Sequence, residues 1–158
     1  MIIRVAQPAD CPHILELVTN ILVKEFPSDQ SVYTTEDLTH LMETYKGPQS
    51  TFLVAEQDRQ IVGACGVKAE SQETAILRRF FVEPRSRGRG IGLRLLKEAL
   101  QFCSSQGFRE VVIRTSTRME RAIRMCCSLG FQEDGRWALG QITLIRFRLR
   151  LMHGSRNK

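Results

Sequence analysis

The sequence predicts an α/β fold in a single domain, with a central mixed sheet and helices on both of its faces. A strand–helix–strand run in the middle of the chain, residues 74–113, implies a right-handed parallel crossover. Before it, two strand-like segments flank a short polar turn, which predicts an antiparallel hairpin. The chain has 158 residues, 42% of them hydrophobic and 25% charged, which is typical of one soluble globular domain with a substantial core.

The first fifty residues predict one strand and two helices. Residues 2–5 are a short apolar strand, and residues 8–10 then open a helix in which Asp10 is a candidate N-cap. The apolar positions of this helix recur at helical spacing: Ile14, Leu17, Val18, Ile21 and Leu22. After a loop over residues 26–33, residues 34–37 read Thr-Thr-Glu-Asp and resemble a capping box that begins a second helix. Its predicted apolar positions are Leu38, Leu41 and Met42.

The middle of the chain predicts three strands and a long helix. Residues 51–56 and 61–67 form the hairpin around a polar turn, and residues 74–82 form a third strand that Pro84 ends. A helix over residues 90–105 follows and stops at Gly107. Its predicted apolar face consists of Ile91, Leu95, Ala99, Phe102 and Cys103.

The last third predicts a buried strand, a helix and a strand-rich segment. The strand covers residues 111–113, and the helix covers residues 119–129 and ends at Gly130. Residues 136–152 alternate between apolar and basic side chains, so that Arg146, Arg148 and Arg150 face away from Ile145, Phe147, Leu149 and Leu151. We expect the domain to cover residues 1–152 and residues 153–158 to form a polar tail.

Charge and cysteine content limit the function classes. Residues 1–77 carry five basic and eleven acidic side chains, whereas residues 78–124 carry twelve and four. This asymmetry indicates either an anionic partner for the basic part or a solvated surface. The five cysteines are odd in number and follow neither a disulfide nor a zinc spacing, which predicts a reduced, cytoplasmic protein without a metal site. Since no apolar run approaches the roughly 18 residues of a membrane span, and no secretory signal is visible, we expect no membrane association.

The loop over residues 82–92 carries the sharpest chemical signal. It lies between a predicted strand and a predicted helix, and glycines alternate along it: Gly88, Gly90 and Gly92. Glycines allow close approach of the backbone, and the helix that follows adds free amides and the positive end of its dipole. Such a loop binds phosphate or pyrophosphate. Three arginines supply charge: Arg85, Arg87 and Arg89. The spacing is neither that of a Walker A loop nor that of the dinucleotide fingerprint, and an arginine- and glycine-rich surface loop is the alternative.

Residues 87–92, Arg-Gly-Arg-Gly-Ile-Gly, resemble the Arg/Gln-x-x-Gly-x-Gly/Ala signature of the GNAT superfamily of acyl-CoA-dependent N-acyltransferases. The preceding residues 77–84 resemble the central strand that leads into that loop. Residues 120–131, which end in Leu-Gly-Phe, resemble the second conserved block of the family, and residues 3–10 resemble a common start of its domains. These segments occur in the family's order and spacing over nearly the whole chain.

The resemblance implies an enzyme that moves an acetyl group from acetyl-CoA to a primary amine by direct attack in a ternary complex. The sheet would be mostly antiparallel and splayed between strands 4 and 5, with the thioester in the gap. A main-chain amide at the splay would stabilise the developing oxyanion. The loop would hold the pyrophosphate, and the fourth strand would pair with the pantetheine arm. The implied cofactor-binding residues are Phe80, Phe81, Val82, Arg87, Gly88, Arg89, Gly90, Ile91 and Gly92.

The resemblance also supplies catalytic candidates, and the sequence departs from the family there. Cys126 falls on the position of the family's tyrosine, the usual general acid, and Met119 falls on the position of its asparagine. A thiol at Cys126 can donate a proton or be a passive core residue, because cysteine is among the most buried residue types. The family's frequent glutamate base falls on Ile76, so Glu73 is a candidate base, with simple surface exposure as the alternative.

Several other titratable residues have two interpretations. Glu25, Glu36 and Asp37 lie in the segment that would cover the acceptor, although each is individually typical of a surface or a helix cap. His13 and His40 are expected on helix surfaces rather than in catalysis. The acidic first half of the chain favours a cationic amine as acceptor, on a small molecule or on a protein.

Two other function classes compete with the enzyme. A non-catalytic CoA-binding regulatory or interaction module is the first, because Met119 and Cys126 depart from the family pattern. A nucleic-acid binder is the second, through basic residues near the C-terminus: Arg146, Arg148, Arg150, Arg156 and Lys158. An arginine stripe without interleaved aromatic residues is more typical of the solvated face of a sheet, so we expect no nucleic-acid partner. The stripe can equally lie at the edge of a homodimer.

Overall fold

The computed structural model describes residues 1–27 and 35–152. The strands in these residues are β1 (Ile2–Val5), β2 (Thr51–Gln57), β3 (Gln60–Ala69), β4 (Thr74–Val82), β5 (Glu110–Ser116), β6 (Gln132–Leu139) and β7 (Ile142–Arg150). The α-helices are α1 (Cys11–Glu25), α2 (Glu36–Thr39), α3 (Leu41–Thr44), α4 (Ile91–Ser105) and α5 (Glu120–Ser128). The described strands form one sheet in the order β1-β2-β3-β4-β5-β7-β6.

The sheet is mixed, as the sequence predicts. β4 and β5 pair in parallel, and α4 connects them, which confirms the predicted crossover. The other neighbouring pairs among the described strands are antiparallel. The hairpin of β2 and β3 turns at Asp58 and Arg59, whose positive φ values of 52° and 65° match the right-handed twist of the two strands.

Helices cover both faces of the sheet, and each face has its own buried cluster. Phe52 and Val54 of β2 point into a cluster with α1, α2 and α3, whereas Leu53 and Ala55 point into a cluster with α4 and α5. Because alternate residues of a strand face opposite ways, the two clusters lie on opposite faces. The five apolar positions predicted for α1 are all buried: Ile14, Leu17, Val18, Ile21 and Leu22. In the described part of the chain, no helix combines the length and apolarity needed to cross a membrane.

Two local expectations are wrong. The predicted second helix breaks at His40 into α2 and α3, and Met42 is 41% exposed. Thr35 makes no side-chain capping bond, and Thr34 lies outside the described residues. Asp10 does not cap α1 with its side chain either, because its carboxylate accepts hydrogen bonds from both terminal nitrogens of Arg4, at 2.7 and 3.0 Å.

The C-terminal segment is a hairpin, and two arginines of the predicted stripe, Arg146 and Arg148, form ion pairs. Ile145 and Phe147 of β7 are buried as predicted, and Arg146 and Arg148 lie on the other face. A ladder of acidic partners lies within 3.4 Å of these two arginines and of Arg114: Glu70, Glu110 and Asp134. The positive charge of these three arginines is therefore balanced by nearby carboxylates. Arg156, Lys158 and the predicted tail 153–158 lie outside the described residues.

Gly66→Ala is expected to lower the free energy of unfolding by about 2 kcal/mol, because overpacking a tight core forces its neighbours to shift. A Cβ at residue 66 would lie 2.7 and 2.9 Å from ring atoms of Tyr45, whose hydroxyl is tied to Asp37 at 2.9 Å. Gly63→Ala is the matched control, since its Cβ also comes to 2.7 Å of another atom. That atom is a terminal methyl of Leu95, which can rotate away. Urea denaturation measures both losses, and equal losses would contradict the role of the rigid ring.

Candidate active site

β4 and β5 separate half-way along their length. Their parallel pairing ends at Leu77 opposite Ile113, although β4 continues to Val82 and β5 to Ser116. The other edge of β4 stays paired with β3 as far as Val82 opposite Gly63. The last residues of β4 therefore have β3 on one side and an open strand edge on the other.

A β-bulge marks the point where the strands part. Arg78 pairs with Gly66 and Phe81 pairs with Ala64, so two residues of β4 stand against one residue of β3. Arg79, inside the bulge, has a φ of +57°. A bulge bends its strand and increases the local twist, and bulges are common next to active sites.

The glycine loop joins the open end of β4 to α4. Gly88 and Gly90 both have φ values of +82°, and a Cβ added to either would meet no atom within 4 Å. The first hydrogen bond of α4 runs from the Arg94 amide to the Gly90 carbonyl at 3.0 Å. The amides of residues 91–93 precede that bond and are free to bind a ligand, as at other helix N-termini. The bare backbone and these amides fit a pyrophosphate.

A cleft of about 560 Å³ lies between the open edge of β4, the glycine loop, the N-terminal part of α5 and the C-terminal end of α1. Its floor is tightly packed, because a Cβ on Gly92 would come to 3.1 Å of the Met125 methyl and 3.5 Å of the Phe80 ring. Charged side chains also line it: Glu25, Arg87, Arg118, Glu120, Arg121 and Arg124. The cleft thus combines an apolar floor with a surplus of positive charge.

Arg87 connects the loop to the first helix. Its Nε donates to the carbonyl of Val82 at 3.0 Å, and its Nη1 donates to a carboxylate oxygen of Glu25 at 3.0 Å. The Arg87 side chain is 19% exposed, so its guanidinium is largely shielded at the side of the cleft. Its charge is therefore fixed beside the glycine loop before any ligand binds.

Comparison with known proteins decides the family. The model of the acetyltransferase (GNAT) family matches residues 15–131. The chain belongs to the GNAT family. N-acetyltransferase 8B of Rattus norvegicus is 33% identical over 120 residues, which are 70% of this chain and 54% of the relative. The chain spans about half the length of the curated relatives it matches.

Solved GNAT structures share the fold. The acetyltransferase of GNAT family from Staphylococcus aureus Mu50 has a TM-score of 0.82 at 20% identity, covering 96% of this chain and 99% of its own. A GNAT superfamily phosphinothricin acetyltransferase (Pat) from Sinorhizobium meliloti, solved with AcCoA, has a TM-score of 0.80 at 20% identity, covering 99% of this chain and 91% of its own. The predicted GNAT-like mixed sheet is confirmed.

The structure brings eight of the nine predicted cofactor-binding residues to the cleft: Phe80, Phe81, Val82, Arg87, Gly88, Gly90, Ile91 and Gly92. Arg89 is exposed and lies outside the lining. Glycine at both neighbouring positions leaves Arg89 on the outer side of the loop. The loop that carries the GNAT signature therefore lines the cleft, and within residues 87–92 only Arg89 lies outside the lining.

Cys126, at the position of the family's tyrosine, lies in the core rather than in the cleft. Its relative exposure is 0%, and it packs in the cluster under α4 and α5. Burial raises the pKa of the Cys126 thiol from 9.0 to about 12. A buried, protonated thiol outside the lining favours the passive interpretation over the general acid. Met119, at the position of the family's asparagine, does line the cleft.

Glu73, the candidate base, is placed far from the cleft. It directly precedes β4, whereas the cleft begins at Phe80 near the other end of that strand. At about 3.3 Å per residue, roughly 25 Å of strand separates Glu73 from Phe81. Its side chain is 67% exposed and lies 3.9 Å from Arg109. Glu73 is therefore exposed at the end of β4 that lies away from the cleft, as in the alternative interpretation, and its side chain does not reach the site.

The remaining acidic and histidine candidates divide sharply. Glu25 lines the cleft, while Glu36, His13 and His40 are exposed outside it. The Asp37 side chain is 9% exposed, and this burial favours the protonated form, but the hydrogen bonds and charge of Arg79 outweigh it and lower the pKa of Asp37. A carboxylate so stabilised is a poor base. In the described ranges, no group of three or more His, Cys, Asp or Glu side chains is placed to hold a metal ion.

The sequence does not predict that the segment at the start of α5 lines the cleft. This segment contributes residues both just before the helix and within it: Arg118, Met119, Glu120, Arg121, Ala122, Arg124 and Met125. Ile21 of α1 and Phe26, which directly follows α1, also line the cleft. The contribution of Ile21 and Phe26 has no local signal in the sequence, because about sixty residues of chain separate them from the glycine loop.

Proposed function

We propose that this GNAT domain transfers an acetyl group from acetyl-CoA to a primary amine by direct attack in a ternary complex. The observation that carries the proposal is the meeting of two features in one cleft: the open edge of β4 and the free amides at the start of α4. A pantetheine arm is peptide-like and pairs with an open strand edge, while a pyrophosphate suits a helix N-terminus. The cleft can therefore bind both the pantetheine arm and the pyrophosphate of one acetyl-CoA molecule.

Different residues of the chain bind different parts of acetyl-CoA. The amides of residues 88–93 and the guanidinium of Arg87 hold the pyrophosphate, and residues 80–82 align the pantetheine arm. Gly88 and Gly90 suit this role, because their missing side chains leave open space in front of the backbone. Arg89, exposed on the outer side of the loop, adds positive charge at longer range.

Acetyl-CoA supplies an acyl group already activated as a thioester, so the protein needs no acyl-enzyme step. The protein orients the thioester against the amine and offers an amide at the splay for the charge that develops on the carbonyl oxygen. The amine forms the new C–N bond and loses one proton, and the C–S bond breaks as the sulfur gains one. We assign both proton transfers to water, because Glu73 and Cys126 lie outside the cleft and Glu25, which lines it, is paired with Arg87.

The acceptor is proposed from charge alone. The acidic surplus of residues 1–77 favours a cationic primary amine, on a small molecule or on a protein. The cytoplasmic location stays a prediction from the cysteine pattern, and a homodimer stays a prediction from the arginine stripe.

A second candidate function is a non-catalytic CoA-binding module with a regulatory or interaction role. The observation in its favour is that the general-acid position of the family holds a buried thiol in this chain. Such a module would bind acetyl-CoA in the same cleft, and no amine would release free CoA from it.

Titration calorimetry with acetyl-CoA tests the cleft first, with desulfo-CoA as a control that cannot react. Saturable binding of both ligands is expected. Assay of free thiol against a panel of primary amines then separates the two candidates. Binding without thiol release for any amine would favour the module, and failure of the folded protein to bind either ligand would contradict both.

Arg87→Ala is expected to raise the Kd for acetyl-CoA by about 10- to 100-fold, the usual effect of losing hydrogen bonds to a charged group. Arg94→Ala is the matched control, since Arg94 is exposed on α4 outside the cleft lining. Its loss removes the same charge, but solvent screens that charge, so a change within about threefold is expected. Calorimetry measures both values, and equal losses would show that only net charge matters.

A further inference from the structure

Arg79 has a backbone geometry that arginine rarely adopts. Its φ of +57° lies in the left-handed region, where a residue with a Cβ is strained. In the described residues, the other non-glycine positions with positive φ are Asp58 and Arg59, which form an exposed hairpin turn. Arg79 lies instead inside a paired strand. Strain of this kind persists where surrounding contacts hold it.

Asp37 of α2 holds the Arg79 side chain. Arg79 Nε donates to Oδ2 of Asp37 at 3.1 Å, and Arg79 Nη2 donates to Oδ1 at 2.5 Å. Both side chains are only 9% exposed. Bidentate, charge-assisted hydrogen bonds of this type fix the geometry of both partners as well as bind them.

Asp37 is in turn fixed by the core. The hydroxyl of the buried Tyr45 donates to Oδ2 of Asp37 at 2.9 Å, and the Tyr45 ring packs edge-on against Phe52, with 5.0 Å between centroids. Lys68 Nζ lies 5.7 Å from the centroid of the Tyr45 ring and donates to the carbonyl of Thr44 at 2.7 Å. The ion pair thus connects the bulge of β4 to the packed face under α1, α2 and α3.

The strained residue lies between the two halves of β4. Leu77 is the last residue that β4 pairs with β5, and Phe80 is the first that lines the cleft. The backbone direction at Arg79 therefore sets where residues 80–82 present their N–H and C=O groups. Neither Asp37 nor Arg79 lines the cleft itself, and the direct connection from Arg79 to the cleft runs along the strand through residues 80–82.

We propose that the Asp37–Arg79 pair is a positioning device, which holds the bulge in its left-handed conformation and thereby fixes the open edge of β4 for acetyl-CoA. This inference rests on the proposed function for the identity of the ligand. The two residues are positioning residues and take no part in the chemistry.

Three substitutions distinguish the effect of the Asp37–Arg79 ion pair from that of the strained backbone at residue 79. Asp37→Asn keeps the size of the side chain and removes its charge, and Arg79→Ala removes the anchor while the strained Cβ remains. Both are expected to raise the Kd for acetyl-CoA at least tenfold, measured by calorimetry and corrected for the folded fraction. Arg79→Gly also removes the anchor, but glycine adopts a positive φ without strain. It is expected to recover part of the lost affinity.

Asp10→Asn is the matched control. Asp10 also forms a bidentate pair with an arginine, Arg4, through bonds of 2.7 and 3.0 Å, but that pair joins β1 to the start of α1, away from the cleft. Its loss is expected to lower stability and to leave the Kd for acetyl-CoA unchanged. A purely stabilising role for Asp37 predicts the same outcome for Asp37→Asn.

Amide hydrogen exchange of residues 80–82, measured without ligand, makes the test independent of the proposed function. Exchange at least tenfold faster than in the wild type is expected in Asp37→Asn, and an unchanged rate is expected in Asp10→Asn. If Asp37→Asn and Arg79→Ala do not fold, Arg79→Gly decides, since it too should exchange faster than the wild type. Wild-type exchange rates in the folded variants would overturn the positioning role. Failure of the wild type to bind acetyl-CoA would overturn only the proposed function.

Discussion

Gly90→Asp is expected to weaken acetyl-CoA binding by at least about 100-fold while the domain stays folded, since bringing two like charges into contact costs several kcal/mol. Gly90 precedes α4 with φ +82° and ψ 6°, and its missing Cβ faces open space. An aspartate there places a negative charge where the pyrophosphate is proposed to lie.

Gly107→Asp is the control for the strain that this substitution introduces. Gly107 has a φ of +85°, and an added Cβ would again meet no atom within 4 Å, but it lies at the opposite end of α4. The two variants should lose similar amounts of thermal stability, and only Gly90→Asp should lose binding in calorimetry. Retained acetyl-CoA affinity in folded Gly90→Asp would remove the pyrophosphate from the loop.

The parts of the site that sequence predicts are those with a local physical cause. The alternating glycines indicate a backbone with positive φ values, and Gly88 and Gly90 both have a φ of +82°. The apolar spacing of α1 identifies its buried face because side chains three and four residues apart share that face. Each of these signals lies within about ten residues of chain, so no knowledge of the fold is needed to interpret it.

The parts that sequence does not predict depend on contacts between distant segments. Asp37 meets Arg79 across 42 residues, and Glu25 meets Arg87 across 62. The sequence pattern predicts one continuous strand over residues 74–82, and no residue type in this segment indicates that Arg79 has a left-handed backbone. Cys126 illustrates the limit of a motif, because the motif gives the position on α5 but not whether the side chain faces the cleft or the core.

The stability of the domain is expected to fall steeply above pH 9, because the fold buries protonated thiols. Burial raises the pKa values of Cys103 and Cys126 from 9.0 to about 12, and it raises the pKa of Cys65 further. Above pH 9 these thiols ionise in the unfolded chain but stay protonated in the folded one. The unfolded state therefore gains stability, by about 1.4 kcal/mol per pH unit for each thiol between pH 9 and the folded pKa. Urea denaturation at pH 7, 9, 10 and 11 measures the slope.

Cys126→Ala measures how much the Cys126 thiol contributes to the pH dependence of the free energy of unfolding, and it also tests whether the thiol is catalytic. The variant should lose about 1 kcal/mol of stability at pH 7, because the sulfur leaves a small cavity, and its slope above pH 9 should be shallower by one thiol's contribution. Cys127→Ala, at the exposed neighbouring position of α5, is the matched control for removing a thiol from this helix. Once an acceptor is known, turnover of Cys126→Ala should stay within about twofold of the wild type, since general acid catalysis is worth far more. A fall of 100-fold or more in turnover at unchanged acetyl-CoA affinity would assign Cys126 the general-acid role of the family's tyrosine. A passive core thiol can change turnover only by changing the stability or structure of the domain.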